Sequence, residues 1–157
     1  RQRTLLLPVP PADWAPADAP VTVDGIVLQP KDELHITLVA RKLGRALADV
    51  DGVREAFEAQ DWRWERTGRR TLLRAAPDRK GAPVPHSVIE HLELPAMARF
   101  HAALGTLLER PLPVPPPHVT LYVAGAKKGI GLPDPATLAR RRVRDLGADD
   151  PPFTGGG

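Results

Sequence analysis

His118-Val119-Thr120-Leu121-Tyr122-Val123 repeats, in the second half of the chain, the pattern of Leu34-His35-Ile36-Thr37-Leu38-Val39 in the first. Each stretch holds a tetrad of His, an aliphatic residue, Thr and Leu, and the two histidines stand 83 positions apart. Both stretches are β-branched and apolar, so each reads as a strand. Side chains alternate faces along a strand. His35 and Thr37 therefore point one way and Ile36 and Leu38 the other, as do His118 and Thr120 against Val119 and Leu121. One face of each strand suits a core, and the other presents an imidazole and a hydroxyl. Two such strands side by side would bring two imidazoles and two hydroxyls into one cleft.

Outward from the tetrads, the pattern alternates between strand and helix. Residues 21–28 read as a strand, with Gly25 a candidate bulge. Apolar positions Leu43, Leu47, Val50, Val53 and Phe57 recur at helical spacing over residues 43–60, and Gly52 suggests a break. Trp62 and Trp64 open a hairpin that turns at Thr67-Gly68 and returns at Thr71-Leu72-Leu73. Residues 86–94 read as a strand. Pro95 opens a helix to Glu109, and Asp134 caps a last helix with Pro135 in its first turn. The basic run Arg140-Arg141-Arg142, with Arg144, falls near that helix's end, where it complements the dipole. The proline-rich stretches 8–20 and 111–117 read as connections. This order predicts an α+β domain over residues 1–150 with a largely antiparallel sheet, followed by a disordered tail over 151–157.

The 157 residues suit one domain with its own core, and 42% hydrophobic and 26% charged residues fit a globular chain. Without cysteine there is no disulfide framework and no thiol nucleophile. No apolar run approaches the length of a membrane span, so no membrane partner is expected, and the cytoplasm is the default location. The net charge of +3 is compatible with a phosphate-bearing ligand and equally with an arginine-rich surface.

Two imidazoles and two hydroxyls suit phosphodiester chemistry. One neutral imidazole accepts a proton from water while a protonated one donates to the leaving oxygen, and threonine hydroxyls meet the charge that builds on the phosphoryl oxygens. On this reading His35, His118, Thr37 and Thr120 are the catalytic candidates. By simple alternation Tyr122 shares their face, either as a contact for base or phosphate or as a packing residue. Lys127 and Lys128, in the loop after the second tetrad strand, are candidates for phosphate binding or for a solvated turn. Arg70, with Arg69 and Arg74, is a candidate for lining the groove. His86 and His91 fall on different faces of their strand, and with no HExxH pattern a metal site is not expected. A non-catalytic module binding nucleotide or RNA stands as the alternative.

The two His-x-Thr-Leu tetrads resemble the signature of the two-histidine (2H) phosphoesterase superfamily, which includes the LigT-like RNA 2′,3′-cyclic phosphodiesterases. The stretch from Pro85 to Leu108 and the run 115–125, PPPHVTLYVAG, are similar to bacterial members. The resemblance implies a bilobal fold, two pseudo-symmetric lobes around a central cleft with helices outside, acting without metal or other cofactor. It implies His35 as proton donor, His118 as acceptor, and Thr37 and Thr120 as phosphoryl-oxygen ligands. The implied partner is a nucleotide or RNA end bearing a cyclic phosphate, bound by a monomer, with 2′–5′ ligation as the reverse reaction.

Overall fold

The computed structural model describes residues 4–151, so the sequence reading of residues 152–157 lies outside the described residues. In chain order the elements are β1 (Leu5–Val9), β2 (Val21–Val23), β3 (Ile26–Pro30), β4 (Leu34–Val39), α1 (Arg41–Leu47), α2 (Val53–Glu58), β5 (Glu65–Arg74), β6 (His86–Glu93), α3 (Ala96–Leu108), β7 (His118–Ala124), α4 (Pro135–Arg141) and β8 (Arg142–Leu146). The strands pair antiparallel in the order β1-β4-β7-β6-β5-β8. β3 also pairs with β7, and β2 forms a hairpin with β3. The expected α+β class and antiparallel pairing are thus present. No helix among the described residues is long and apolar enough to cross a membrane.

The two faces of the sheet are unlike. Leu34, Ile36 and Leu38 of β4, Leu72 of β5, Val88 of β6 and Val119 of β7 belong to the main core, with Leu47 of α1 and Met97, Phe100 and Leu104 of α3. Phe57 stacks on Trp62 at 5.2 Å between centroids, and Phe100 meets Trp62 edge-on at 5.2 Å. Burying each large aliphatic or aromatic side chain is worth about 1.5–3 kcal/mol, so this face carries most of the fold's stability. A smaller cluster holds Leu73, Ile89, Ile130 and Leu132, with Leu138 of α4 packed against it.

Several sequence expectations are corrected. The strand predicted over 21–28 is a hairpin: Asp24 and Gly25 both adopt positive φ, 52° and 78°, as a two-residue turn matching strand twist requires. Strand β1 runs through Pro8, inside a stretch read as loop; it is the edge strand of the sheet, where a missing N–H is tolerated. The helix over 43–60 is split into α1 and α2 at Gly52, whose φ is 96°. The hairpin predicted at Thr67-Gly68 is instead a bulge within one long strand. Arg66 pairs with Leu92 and Arg70 with Glu90, so β5 holds surplus residues between those pairs, and Gly68 supplies the positive φ of 74°. The basic run is divided: Arg140 and Arg141 end α4 in its last turn as expected, whereas Arg142 and Arg144 lie on β8. There Arg144 bridges Asp24 at 3.0 Å and Asp150 at 2.6 Å. The cap at Asp134 forms as expected, its carboxylate accepting from Thr137 N at 2.7 Å.

Both tetrad strands are bulged at the same place. On β1 and β4, Leu6 pairs with Thr37 and the next residue, Leu5, with Val39, leaving Leu38 as the extra residue. On β6 and β7, Ile89 pairs with Thr120 and Val88 with Tyr122, leaving Leu121 extra.

Candidate active site

Strands β4 and β7 touch through the pair Ile36 and Val119, the second residue of each tetrad. That antiparallel register sets His35 opposite Thr120 and Thr37 opposite His118. Directly opposed residues have Cβ atoms about 4.5–5.5 Å apart and diagonal ones about 7–8 Å. The four side chains therefore form a square, with the histidines on one diagonal and the threonines on the other. All four line one cleft of about 420 Å³ and are half-buried, while Ile36, Leu38, Val119 and Leu121 are buried in the core behind them. The expected convergence of these four side chains on one cleft is present.

Each imidazole has a distinct setting. The His118 Nδ1–H donates to the Pro116 carbonyl at 2.8 Å, since a carbonyl can only accept. The neutral ring then carries its lone pair on Nε2. Burial pushes the His118 pKa below the usual histidine value; the Pro116 carbonyl opposes this, and nearby His91 and His35 push it further down. Burial also lowers His35, with the Lys31 ammonium adding to the effect and the Glu33 carboxylate opposing it.

Three predicted ligands, Tyr122, Arg70 and Lys127, do not line the cleft. Tyr122 is 2% exposed and belongs to the main core, on the face away from the cleft. The bulge at Leu121 is the reason: one extra residue reverses the alternation, so Tyr122 follows Leu121 inward. Arg70 also lies on the core face, with its Nε 3.0 Å from the Glu90 carboxylate and its side chain 11% exposed. Glu90 is fully buried and takes a second guanidinium, Arg66, through two contacts of 2.9 and 3.0 Å. Arg66 in turn stacks on Trp14 at 4.0 Å. Lys128 does line the cleft, whereas Lys127 is tied to it only through Lys31, whose Nζ donates to the Lys127 carbonyl at 2.9 Å.

Lys31, Glu33 and Arg41 line the cleft and were missed. Lys31 and Glu33 carried a legible signal: with His35 and Thr37 they continue the same period of two. Arg41 had none beyond its place just after the first tetrad strand. Gly129, also in the lining, lies so close to Thr120 that a Cβ there would be 2.6 Å from Thr120 Oγ1. Among the described residues no group of three or more His, Asp or Glu is arranged to hold a metal ion.

Fold and cleft together define an antiparallel α+β domain whose central strands present a His–Thr, His–Thr square. The chain matches no protein-family model, no curated protein and no solved structure.

Proposed function

We propose that this protein is a metal-independent phosphoesterase of the 2H type that hydrolyses a cyclic phosphate, such as a nucleoside or RNA-end 2′,3′-cyclic phosphate, to a monoester. The observation that carries the reading is the diagonal placement of His35 and His118 across the Ile36–Val119 contact, with Thr37 and Thr120 completing the square. A phosphorus atom over the centre of that square has one imidazole on either side. His118, its Nδ1–H already committed to Pro116, offers a lone pair to the attacking water. His35 delivers a proton to the ribose oxygen that leaves, and the threonine hydroxyls donate to the phosphoryl oxygens. Lys31, Arg41 and Lys128 supply positive charge along the same cleft. With a 5′-hydroxyl in place of water, the same groups bond that oxygen to phosphorus and release the ribose 3′ oxygen, which leaves a 2′–5′ linkage.

The reading includes two pseudo-symmetric lobes that meet at the Ile36–Val119 contact, a monomer as the working unit and the cytoplasm as its location. The matched bulges at Leu38 and Leu121 support the lobes, since equivalent tetrad positions carry equivalent irregularities.

The test is turnover of 2′,3′-cyclic nucleotides and of oligonucleotides with cyclic ends, in EDTA, by the wild type, His35→Ala and His118→Ala. Each variant should lose at least about 10²-fold in kcat. Unchanged turnover in either removes that histidine from the mechanism. Tight binding of cyclic phosphates with no turnover would make the protein a binding module instead.

A further inference from the structure

His91 was set aside at the sequence level because it and His86 fall on different faces of one strand. The register of β6 on β7 gives it a different meaning: His91 pairs directly with His118, and Ile89 with Thr120. His91 thus stands beside the second tetrad histidine, one strand further from the cleft. Its ring is anchored. Thr71 Oγ1 donates to the Asp145 carboxylate at 2.9 Å. A hydroxyl has one proton to give, so its 2.7 Å contact with His91 Nε2 is a bond in which the imidazole N–H donates. The chain of donors runs from His91 on β6, through Thr71 on β5, to Asp145 on β8, which also takes the Arg142 guanidinium at 3.0 and 3.2 Å. Thr71 is 1% exposed, so the central link is closed to solvent.

Resting on the reading of His118 as proton acceptor, we propose that His91 is a positioning residue for His118: it holds the first proton that enters the pair, so that His118 stays neutral and able to accept. Paired strand positions put the two Cβ atoms about 4.5–5.5 Å apart, too close for both rings to carry charge without strong coupling. The first proton favours the ring whose N–H leads to a carboxylate. His91 has that connection, through Thr71 to Asp145, whereas the bonded partner of the His118 ring is the neutral Pro116 carbonyl.

The charged and titratable groups around the pair come from three other strands, β4, β5 and β8, and from Glu90 beside His91 on β6. Burial lowers the His91 pKa and the Arg69 guanidinium adds to this, while Asp145 and Glu90 oppose it. His118 is lowered by burial, raised by the Pro116 carbonyl, and lowered again by His91 and by His35 on β4. Asp145 itself is held low by Arg142 and by the Thr71 hydroxyl, against the opposite effect of burial, so it remains a carboxylate over the range in which the histidines titrate.

The experiment is an NMR titration of the five histidine rings in the wild type, His91→Gln and Asp145→Asn, with the pH profile of kcat/KM on a 2′,3′-cyclic nucleotide for the same proteins. In His91→Gln the His118 midpoint should rise by about one pH unit, the scale of a coupled pair, and the acid limb of kcat/KM should move up with it. Asp145 is 64% exposed, so Asp145→Asn is the variant least prone to unfold; in it the His91 midpoint should fall. A His118 midpoint within a few tenths of a unit of wild type in folded His91→Gln overturns the proposal. So does an unmoved His91 midpoint in Asp145→Asn, which decides the matter if His91→Gln does not fold. Because the titration needs no substrate, absence of turnover would sink the phosphoesterase reading alone and leave the His91–His118 coupling decided on its own data.

Discussion

A methyl group at position 129 would lie 2.6 Å from Thr120 Oγ1 and 3.0 Å from its Cγ2. Gly129 does not adopt a positive φ, so the conflict is one of space and not of backbone strain. Gly129→Ala should therefore push the Thr120 hydroxyl or the 125–133 loop off its place. A drop of about tenfold or more in kcat/KM on a 2′,3′-cyclic nucleotide is expected, and wild-type kinetics would show that the loop yields freely. Tyr122→Phe should behave in the opposite way. Its ring lies in the core, so turnover should stay within about threefold of wild type, and a loss comparable to that of His118→Ala would return Tyr122 to the cleft. The pH dependence follows from the two imidazoles. His118 must be neutral and His35 protonated, and both pKa values lie below the ordinary ~6.5. Activity should rise with pH through the His118 value and fall above the His35 value, a bell with both limbs on the acid side of ~6.5; a maximum near pH 8 would contradict these roles. At this scale the tetrad residues were legible because a period of two needs no tertiary information. Tyr122 was not, because the bulge that turns it inward is a property of the β6–β7 register, and Arg70 was not, because its partner Glu90 is on another strand.

The bulge in β5 and the charge cluster beneath it work as one element. Glu90 is fully buried and satisfied by Arg66, Arg70 and the Gly68 N–H, which donates at 3.3 Å. Burial alone would raise the Glu90 pKa, but the hydrogen bonds and charges of Arg66 and Arg70 carry it below the usual carboxylate value. The stability it contributes is present above an unfolded pKa of about 4.3 and is lost as pH falls through the lower folded value. Glu90→Gln leaves two guanidiniums facing a neutral amide and should cost about 3 kcal/mol in urea unfolding at pH 7; a cost under about 1 kcal/mol would mean that the two arginines turn out to water. Element types near the tetrads and the cap at Asp134 could be read locally. The long β5 could not, since Thr67-Gly68 is a valid turn signal by itself, and only pairing with β6 makes it a bulge. Strand β8 was hidden in the same way: Arg142-Val143-Arg144 has little strand character alone and gains it from the exposed side of β5.

Across the whole molecule, His35, His91, His101 and His118 all have pKa values lowered first by burial. His101 is the deepest by exposure, at 1%, with Nδ1–H donating to the Met97 carbonyl at 3.0 Å and no partner for Nε2 among the described residues. A histidine that is neutral when folded takes up a proton on unfolding below ~6.5, so the unfolded state binds more protons there and stability drops as the pH is lowered. The Tm at pH 5 should be several degrees below that at pH 7.5, since each kcal/mol shifts a domain of this size by about 2–4 °C. A flat Tm over that interval would mean that these rings titrate freely.

Pro8 lies in β1, the outermost strand on one side of the sheet. Having no amide hydrogen, it breaks the row of donors that a bare margin would offer to a second chain. On the opposite margin β8 is five residues long and carries Arg142, Arg144 and Asp145. The proline on one margin and the charges on the other make both poor templates for edge-to-edge pairing with a second chain.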